Sequence, residues 1–173
     1  MANYREKLTK IKAFVFDVDG VLGSDKVLLF PDGDMMRSMN IKDGYAMNYA
    51  IRQGYKIAII TGGTSKSVKH RFTRLGIDDV YLESSNKIKD YEHFLEKHGL
   101  KNEEILYMGD DMPDYKVMKM VGVATCPVTA ANEIKEISHY ISDKAGGEGA
   151  VRDVIEQVLK VQNKWISAES FIW

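Results

Sequence analysis

Two acidic clusters stand out in the chain. Asp17-Val18-Asp19-Gly20 follows the apolar run Phe14-Val15-Phe16, and Gly109-Asp110-Asp111-Met112-Pro113-Asp114 follows the apolar residues 105–108. In an Asp-x-Asp at a strand end both carboxylates leave the same side of an extended turn, because alternate side chains point the same way. Two unit charges about 4 Å apart repel by roughly 4 kcal/mol at an effective dielectric near 20, so several acids converging on one pocket need a cation. Oxygen donors without a His or Cys partner favour Mg2+ over zinc, and Mg2+ keeps room for water and a phosphate. Any one of these acids fits a helix cap or a solvated turn; the whole set does not. Thr61-Gly62-Gly63-Thr64, after the run 56–60, offers a hydroxyl and backbone N–H groups at a helix start, which suit phosphoryl oxygens. Lys87, just before the next helical pattern, supplies a positive charge. Together these residues make a phosphate site beside a cluster of acids suited to Mg2+.

The elements that must position them alternate. Short β-branched or aromatic runs at 13–17, 56–61, 80–82, 105–109, 121–125 and 140–141 are separated by helical patterns at 45–52, 66–75, 89–98 and 115–120, with a last helix at 150–161. That pattern predicts an α/β fold, a Rossmann-like three-layer sandwich around a mainly parallel sheet. In such a sheet the carboxyl ends of the strands line one crevice, so residues nearly a hundred positions apart fall into one pocket. One segment breaks the alternation: 27–30 and 35–41 flank Pro31-Asp32-Gly33-Asp34, which predicts a β-hairpin projecting after the first strand. A two-stranded hairpin is marginal alone, and this one is rich in Leu and Met, so it needs a surface to cover it: a partner's or its own domain's. The tail at 163–173, with Trp165, Ile166, Phe171, Ile172 and Trp173, is also too apolar for an idle end.

At 173 residues the chain is expected to form one domain, 1–173, with no room for a lid over a catalytic core. The 24 Lys and Arg nearly cancel the 25 Asp and Glu, which argues against a nucleic-acid-binding surface. Cys126 has no partner for an internal disulfide, and no early apolar stretch is long enough for a signal peptide or membrane span, so a cytoplasmic location is expected. On the helix 66–75, Arg71 lies about 60° off the centre of the apolar face made by Val68, Phe72 and Leu75, at 100° per residue. A charge so placed needs a partner, either a substrate carboxylate gripped by the guanidinium fork or an internal acid.

Asp17-Val-Asp19, Thr61, Lys87 and Gly109-Asp110-Asp111-x-x-Asp114 stand in the order of the four motifs of the haloacid dehalogenase superfamily. With Asn40-Ile-Lys-Asp-Gly44, Leu75-Gly76-Ile77 and 145–152, the chain resembles the capless branch that contains the 3-deoxy-D-manno-octulosonate 8-phosphate phosphatases and their nine-carbon sugar-acid relatives. The resemblance implies an Mg2+-dependent phosphatase of lipopolysaccharide sugar biosynthesis. Asp17 would be the nucleophile and Asp19 the general acid and base, with Thr61 and Lys87 on the phosphoryl oxygens. Mg2+ would be held by Asp17, the Asp19 carbonyl and Asp110, supported by Asp111 and Asp114. Gly62, Gly63 and Arg71 would contact substrate, and a homotetramer would close the site. This chain departs from the branch at Gly63, where eight-carbon enzymes usually carry Arg and nine-carbon enzymes Glu, and at Gly23, where Thr is common. A phosphorylatable receiver-type module also uses Asp, Thr and Lys on a parallel sheet, but its phosphoacceptor normally ends the third strand, whereas Asp17 ends the first.

Overall fold

The computed structural model describes residues 3–31, 33 and 35–171. In chain order the elements are α1 (Tyr4–Leu8), β1 (Ala13–Phe16), β2 (Leu28–Leu29), β3 (Met35–Met36), α2 (Ile41–Arg52), β4 (Lys56–Ile60), α3 (Lys66–Arg74), β5 (Asp79–Tyr81), α4 (Lys87–His98), β6 (Ile105–Met108), α5 (Tyr115–Met118), β7 (Val123–Cys126), α6 (Asn132–Ile137), β8 (Tyr140–Ile141) and α7 (Ala150–Val161). Six strands form one sheet in the order β5-β4-β1-β6-β7-β8, with every pairing parallel. All four residues of β1 are buried because the strand lies between β4 and β6 and is covered on both faces.

The period of two divides the sheet between two cores. Phe14, Phe16, Ile57, Ile59, Leu106 and Met108 face α2, α3 and α7, where Met47, Phe72, Val154 and Val158 meet them. Ala13, Val15, Ala58, Ile60, Ile105 and Tyr107 face α4, α5 and α6, where Tyr91, Phe94, Val117 and Ile134 meet them. The chain runs from β1 to β4 and β5 on one side and then crosses to β6 on the other, so the direction of winding reverses at β1. Ligands bind at that point in open α/β sheets, outside the carboxyl ends of the strands.

The expected hairpin is present and short. Leu28 pairs with Met36 and Leu29 with Met35, antiparallel, and a separate bridge joins Gly23 to Met39. Of its expected turn, Asp32 and Asp34 lie outside the described residues. Residues 40 and 41 do not extend it, because Asn40 caps α2 by accepting from the Lys42 amide at 2.8 Å. The helix therefore starts at Ile41, four residues before the expected 45, since a cap of this kind outweighs the weaker strand preference of an isolated Ile. In the tail, Trp165 packs edge-on against Tyr49, and the Tyr49 and Tyr45 hydroxyls donate to the Lys164 and Ser170 carbonyls. Ile172 and Trp173 lie outside the described residues.

Asp43 ties two helices together beneath the site. It is buried in α2 and accepts from the Arg152 amide at 2.7 Å, so it caps the first turn of α7. Burial pushes its carboxyl up to about 6, against the opposing pull of the Arg152 and Gly149 amides. Asp43→Ala leaves that amide unpaired and is expected to cost about 1–3 kcal/mol in urea unfolding. An unchanged unfolding midpoint would contradict the capping role.

Candidate active site

Asp17 follows β1 directly, with its amide donating to the Met108 carbonyl of β6. It continues the parity of Ala13 and Val15, on the sheet face covered by α4. Helix α4 opens with Lys87, after Asn86 caps the helix by accepting from the Ile88 amide at 3.2 Å. The buried Lys87 ammonium bridges two carboxylates, 2.9 Å from Asp17 Oδ2 and 2.7 Å from Asp114 Oδ1. Asp114 also accepts from the Tyr107 hydroxyl at 2.6 Å and from the Asp110 amide at 3.2 Å. Carboxylate oxygens of Asp17, Asp110 and Asp114 lie within 4.8 Å of one another.

This packing has electrostatic consequences. Burial pushes the Asp17 carboxyl up to about 7 with help from Asp114, although Lys87 pulls it down. Burial and then the charges of Asp17 and Asp114 push Asp110 up to about 7 as well. Burial alone would lower Lys87, but Asp17 and Asp114 outweigh it and hold its ammonium above the ordinary value. Three acids against one lysine leave excess negative charge among hard oxygen donors, and a divalent cation such as Mg2+ fits that set. Asp17 and Asp110, with Asp114 behind them, are the side chains that would hold it.

Gly20 keeps this space open. Its φ is +79°, and a Cβ there would lie 1.9 Å from Asp110 Oδ2, so alanine is excluded by both backbone and contact. Gly20→Ala is expected to weaken Mg2+ binding about 10- to 100-fold in a titration by displacing Asp110, and unchanged affinity would contradict this.

Thr61 is buried just after β4, and its hydroxyl accepts from the Gly63 amide at 3.2 Å. The Ser84 and Glu83 amides donate to the Thr61 and Gly63 carbonyls, so the loop carrying Thr61, Gly62 and Gly63 is pinned to the segment leading into Lys87. Helix α3 begins only at Lys66, so the amides of Gly62 and Gly63 belong to this loop and not to a helix N-terminus as expected.

Other expected residues lie outside the cluster. Asp111 is exposed, and its contribution is its backbone carbonyl, which accepts from the Asp114 amide. The Asp19 side chain is not one of the three converging acids, and both its oxygens are held by Arg37: Nε at 2.6 Å and Nη2 at 3.0 Å. Arg71 makes no hydrogen bond or ion pair among the described residues. Its guanidinium lies against Gly44 of α2, where a Cβ would come within 2.5 Å of Nη2.

A model of the haloacid dehalogenase-like hydrolases matches residues 44–128. Over 158 residues the chain is 35% identical to the 3-deoxy-D-manno-octulosonate 8-phosphate phosphatase of Escherichia coli K12, covering 91% of this chain and 84% of the relative. The chain belongs to this phosphatase family. The crystal structure of the family's Yersinia pestis enzyme matches with a TM-score of 0.90 at 31% identity, over 92% of this chain and 86% of that one. The Moraxella catarrhalis enzyme, solved with a magnesium ion, a phosphate ion and a KDO molecule, matches with a TM-score of 0.88 at 32% identity, over 92% and 91%. Family membership also removes the receiver-type alternative.

Within this phosphatase fold, sequence reasoning missed two site residues. Tyr107 sits in a buried strand, where its hydroxyl must find a partner, and Asp114 is that partner. Arg37 stands between Met36 and Ser38 on the exposed hairpin, and no local pattern marks it.

The raised carboxyls also make a pH prediction. Without a cation the folded protein holds protons on Asp17 and Asp110 that the unfolded chain gives up near pH 4. The folded state then binds more protons than the unfolded state, so the metal-free fold loses stability as pH rises from about 4 to 7. Mg2+ takes the place of those protons, and the rise in Tm on adding Mg2+ is expected to be larger at pH 8 than at pH 5.5. Equal rises in thermal scans would contradict it.

Proposed function

We propose that this chain is an Mg2+-dependent phosphatase that hydrolyses 3-deoxy-D-manno-octulosonate 8-phosphate to the free sugar acid and phosphate, by way of an aspartyl phosphate on Asp17. The observation that carries the chemistry is the convergence of Asp17, Asp110 and Asp114 on Lys87, beside the Thr61 loop, at the strand ends where the sheet changes direction. The substrate is carried by the family's enzymes, which share 31–35% identity over nearly the whole chain.

An Asp17 carboxylate oxygen attacks phosphorus as the bond to the sugar oxygen breaks, and Asp19 gives that oxygen a proton. Water then attacks the phosphorus of the aspartyl phosphate. Asp19 takes the proton back, and Asp17 is regenerated with release of phosphate. Lys87 and the Thr61 hydroxyl hold phosphoryl oxygens throughout, so the protein's contribution is largely positioning and electrostatics. Asp17, the Asp19 carbonyl and Asp110 would hold Mg2+, which would supply positive charge to the phosphoryl group. Tyr107 and the Asp110 amide fix Asp114, which in turn fixes Lys87. Arg71, which has no acidic partner among the described residues, would take the carboxylate of the sugar acid.

The chain acts as one catalytic domain, in a homotetramer in the cytoplasm, on the route to the lipopolysaccharide sugar acid. Leu28 and Leu29 on the hairpin are 68% and 76% exposed, and Phe30, Met36 and Ile41 add to the same apolar surface. A second copy covers it and helps close the site. Cys126 is buried and unpaired, in keeping with a reducing compartment. Among the described residues, no helix is long and apolar enough to cross a membrane. Leu28→Asp with Leu29→Asp is expected to dissociate the assembly in light scattering and raise KM; an unchanged mass would overturn the interface.

The function is tested by phosphate release from the eight-carbon and nine-carbon ulosonate phosphates and from glucose 6-phosphate, with Mg2+ and with EDTA. Mg2+-dependent turnover fastest on the eight-carbon ester supports the assignment. Preference for the nine-carbon ester, or equal rates on all three, overturns the substrate.

A further inference from the structure

Arg37 carries an observation that the mechanism above does not use. It follows β3 in the hairpin, yet its side chain is only 7% exposed, and its guanidinium forks onto both oxygens of Asp19. The same guanidinium lies over the Thr61 loop. A Cβ placed on Gly63 would be 3.4 Å from Arg37 Nη2 and 3.6 Å from the Thr61 hydroxyl oxygen, so Nη2 and that hydroxyl both lie within van der Waals reach of the Gly63 position. Arg37 therefore touches the proposed acid and base on one side and borders the proposed phosphoryl pocket on the other.

We infer that Arg37 is an additional phosphoryl-binding residue, held on Asp19 until a phosphate group arrives and then transferred to it. The inference rests on the reading of Thr61 as a phosphoryl ligand and Asp19 as the acid and base. Three physical points support it. The guanidinium fork that fits a carboxylate bidentately fits a phosphoryl group in the same way. A phosphate monoester dianion carries about twice the charge of the Asp19 carboxylate, so it competes for Arg37 in a site already walled by protein. Arg37 takes one acceptor site on each Asp19 oxygen in the present arrangement, so both oxygens are engaged until the fork lets go. Arrival of the phosphoryl group thus does two things at once: it gains a cation on its equatorial oxygens and it frees Asp19. The Asp19 carboxylate, 41% exposed, has room to turn once released.

The pocket is common to every phosphate ester, so the effect of removing Arg37 is common too. The test uses inorganic phosphate as a competitive inhibitor of p-nitrophenyl phosphate hydrolysis, and KM for that ester and for the eight-carbon sugar-acid ester. Arg37→Gln is expected to raise the phosphate inhibition constant and both KM values together, about 10- to 100-fold, as loss of charge-assisted hydrogen bonds does. Arg37→Lys, which keeps charge without the fork, is expected to fall between. If Arg37 only positions Asp19, phosphate inhibition and both KM values stay unchanged and kcat falls, more on the sugar ester, because nitrophenolate leaves without a proton and needs Asp19 only for the water step. If it binds the sugar acid, only the sugar-ester KM moves. Either result overturns the inference. Failure of the substrate assignment is distinguishable, since wild type would then ignore the sugar-acid ester while the phosphate and nitrophenyl measurements still report on Arg37. A wild type that hydrolyses neither ester sinks the phosphatase reading itself.

Discussion

Asp17→Asn is expected to lower kcat by on the order of 10^4-fold or more, the scale on which removal of a covalent nucleophile acts. The amide keeps the shape of the carboxylate and can still accept from the Val18 amide, which donates to Asp17 Oδ1 at 2.7 Å. Lys87 retains Asp114 as its partner, so the fold is expected to survive. The variant also removes one of three converging negative charges. Its metal-free form should therefore lose less stability than wild type as pH rises from about 4 to 7, since one of the two raised carboxyls is gone. Phosphate release assays together with thermal scans across that range check both halves. Activity within tenfold of wild type would remove Asp17 from the chemistry.

Lys87→Met is expected to be the most damaging single change to stability. Its ammonium is the cation that the structure places between the buried Asp17 and Asp114. Breaking a buried pair by removing one partner typically costs about 3–5 kcal/mol, because the remaining charge is left without compensation. That loss should be full at pH 8, where Asp17 and Asp110 would otherwise be ionised, and smaller at pH 5.5, where both carboxyls, raised to about 7, hold protons. Saturating Mg2+ should recover part of the stability but little of the activity, since a phosphoryl ligand is missing. Urea unfolding at the two pH values, with and without Mg2+, gives the answer. A pH-independent loss would mean that Lys87 contributes packing of its alkyl chain and not charge.

The residues legible in the sequence are those whose place depends only on strand ends. Asp17, Thr61, Lys87 and Asp110 each follow or face a buried run, and a parallel sheet brings such positions together whatever the details of its loops. What was not legible depends on loop conformation and on contacts between distant segments. Asp111 and Asp114 are alike in sequence, yet a single turn at 112–114 exposes one and buries the other against Lys87 and Tyr107. The Gly63 amide was expected at a helix start and instead bonds back to Thr61. Asn40 moved the start of α2 forward through one side-chain bond. Arg37 was hidden most deeply, because the fork onto Asp19 exists only when the hairpin folds back over the strand ends, and no local pattern encodes that return. The apolar hairpin was legible as well: Leu28 and Leu29 stand in the run 27–30, and both are exposed in the fold.

The central claim is that Asp17 becomes phosphorylated during turnover of a sugar-acid phosphate. The direct measurement is rapid acid quench of wild-type enzyme mixed with Mg2+ and 3-deoxy-D-manno-octulosonate 8-phosphate, followed by mass spectrometry of the peptide containing Asp17. A phosphorylated Asp17 that forms and decays at rates matching phosphate release, and is absent in EDTA, is the predicted result. Steady phosphate release with no phosphate on Asp17 at any quench time, or phosphate on another residue, would contradict the account.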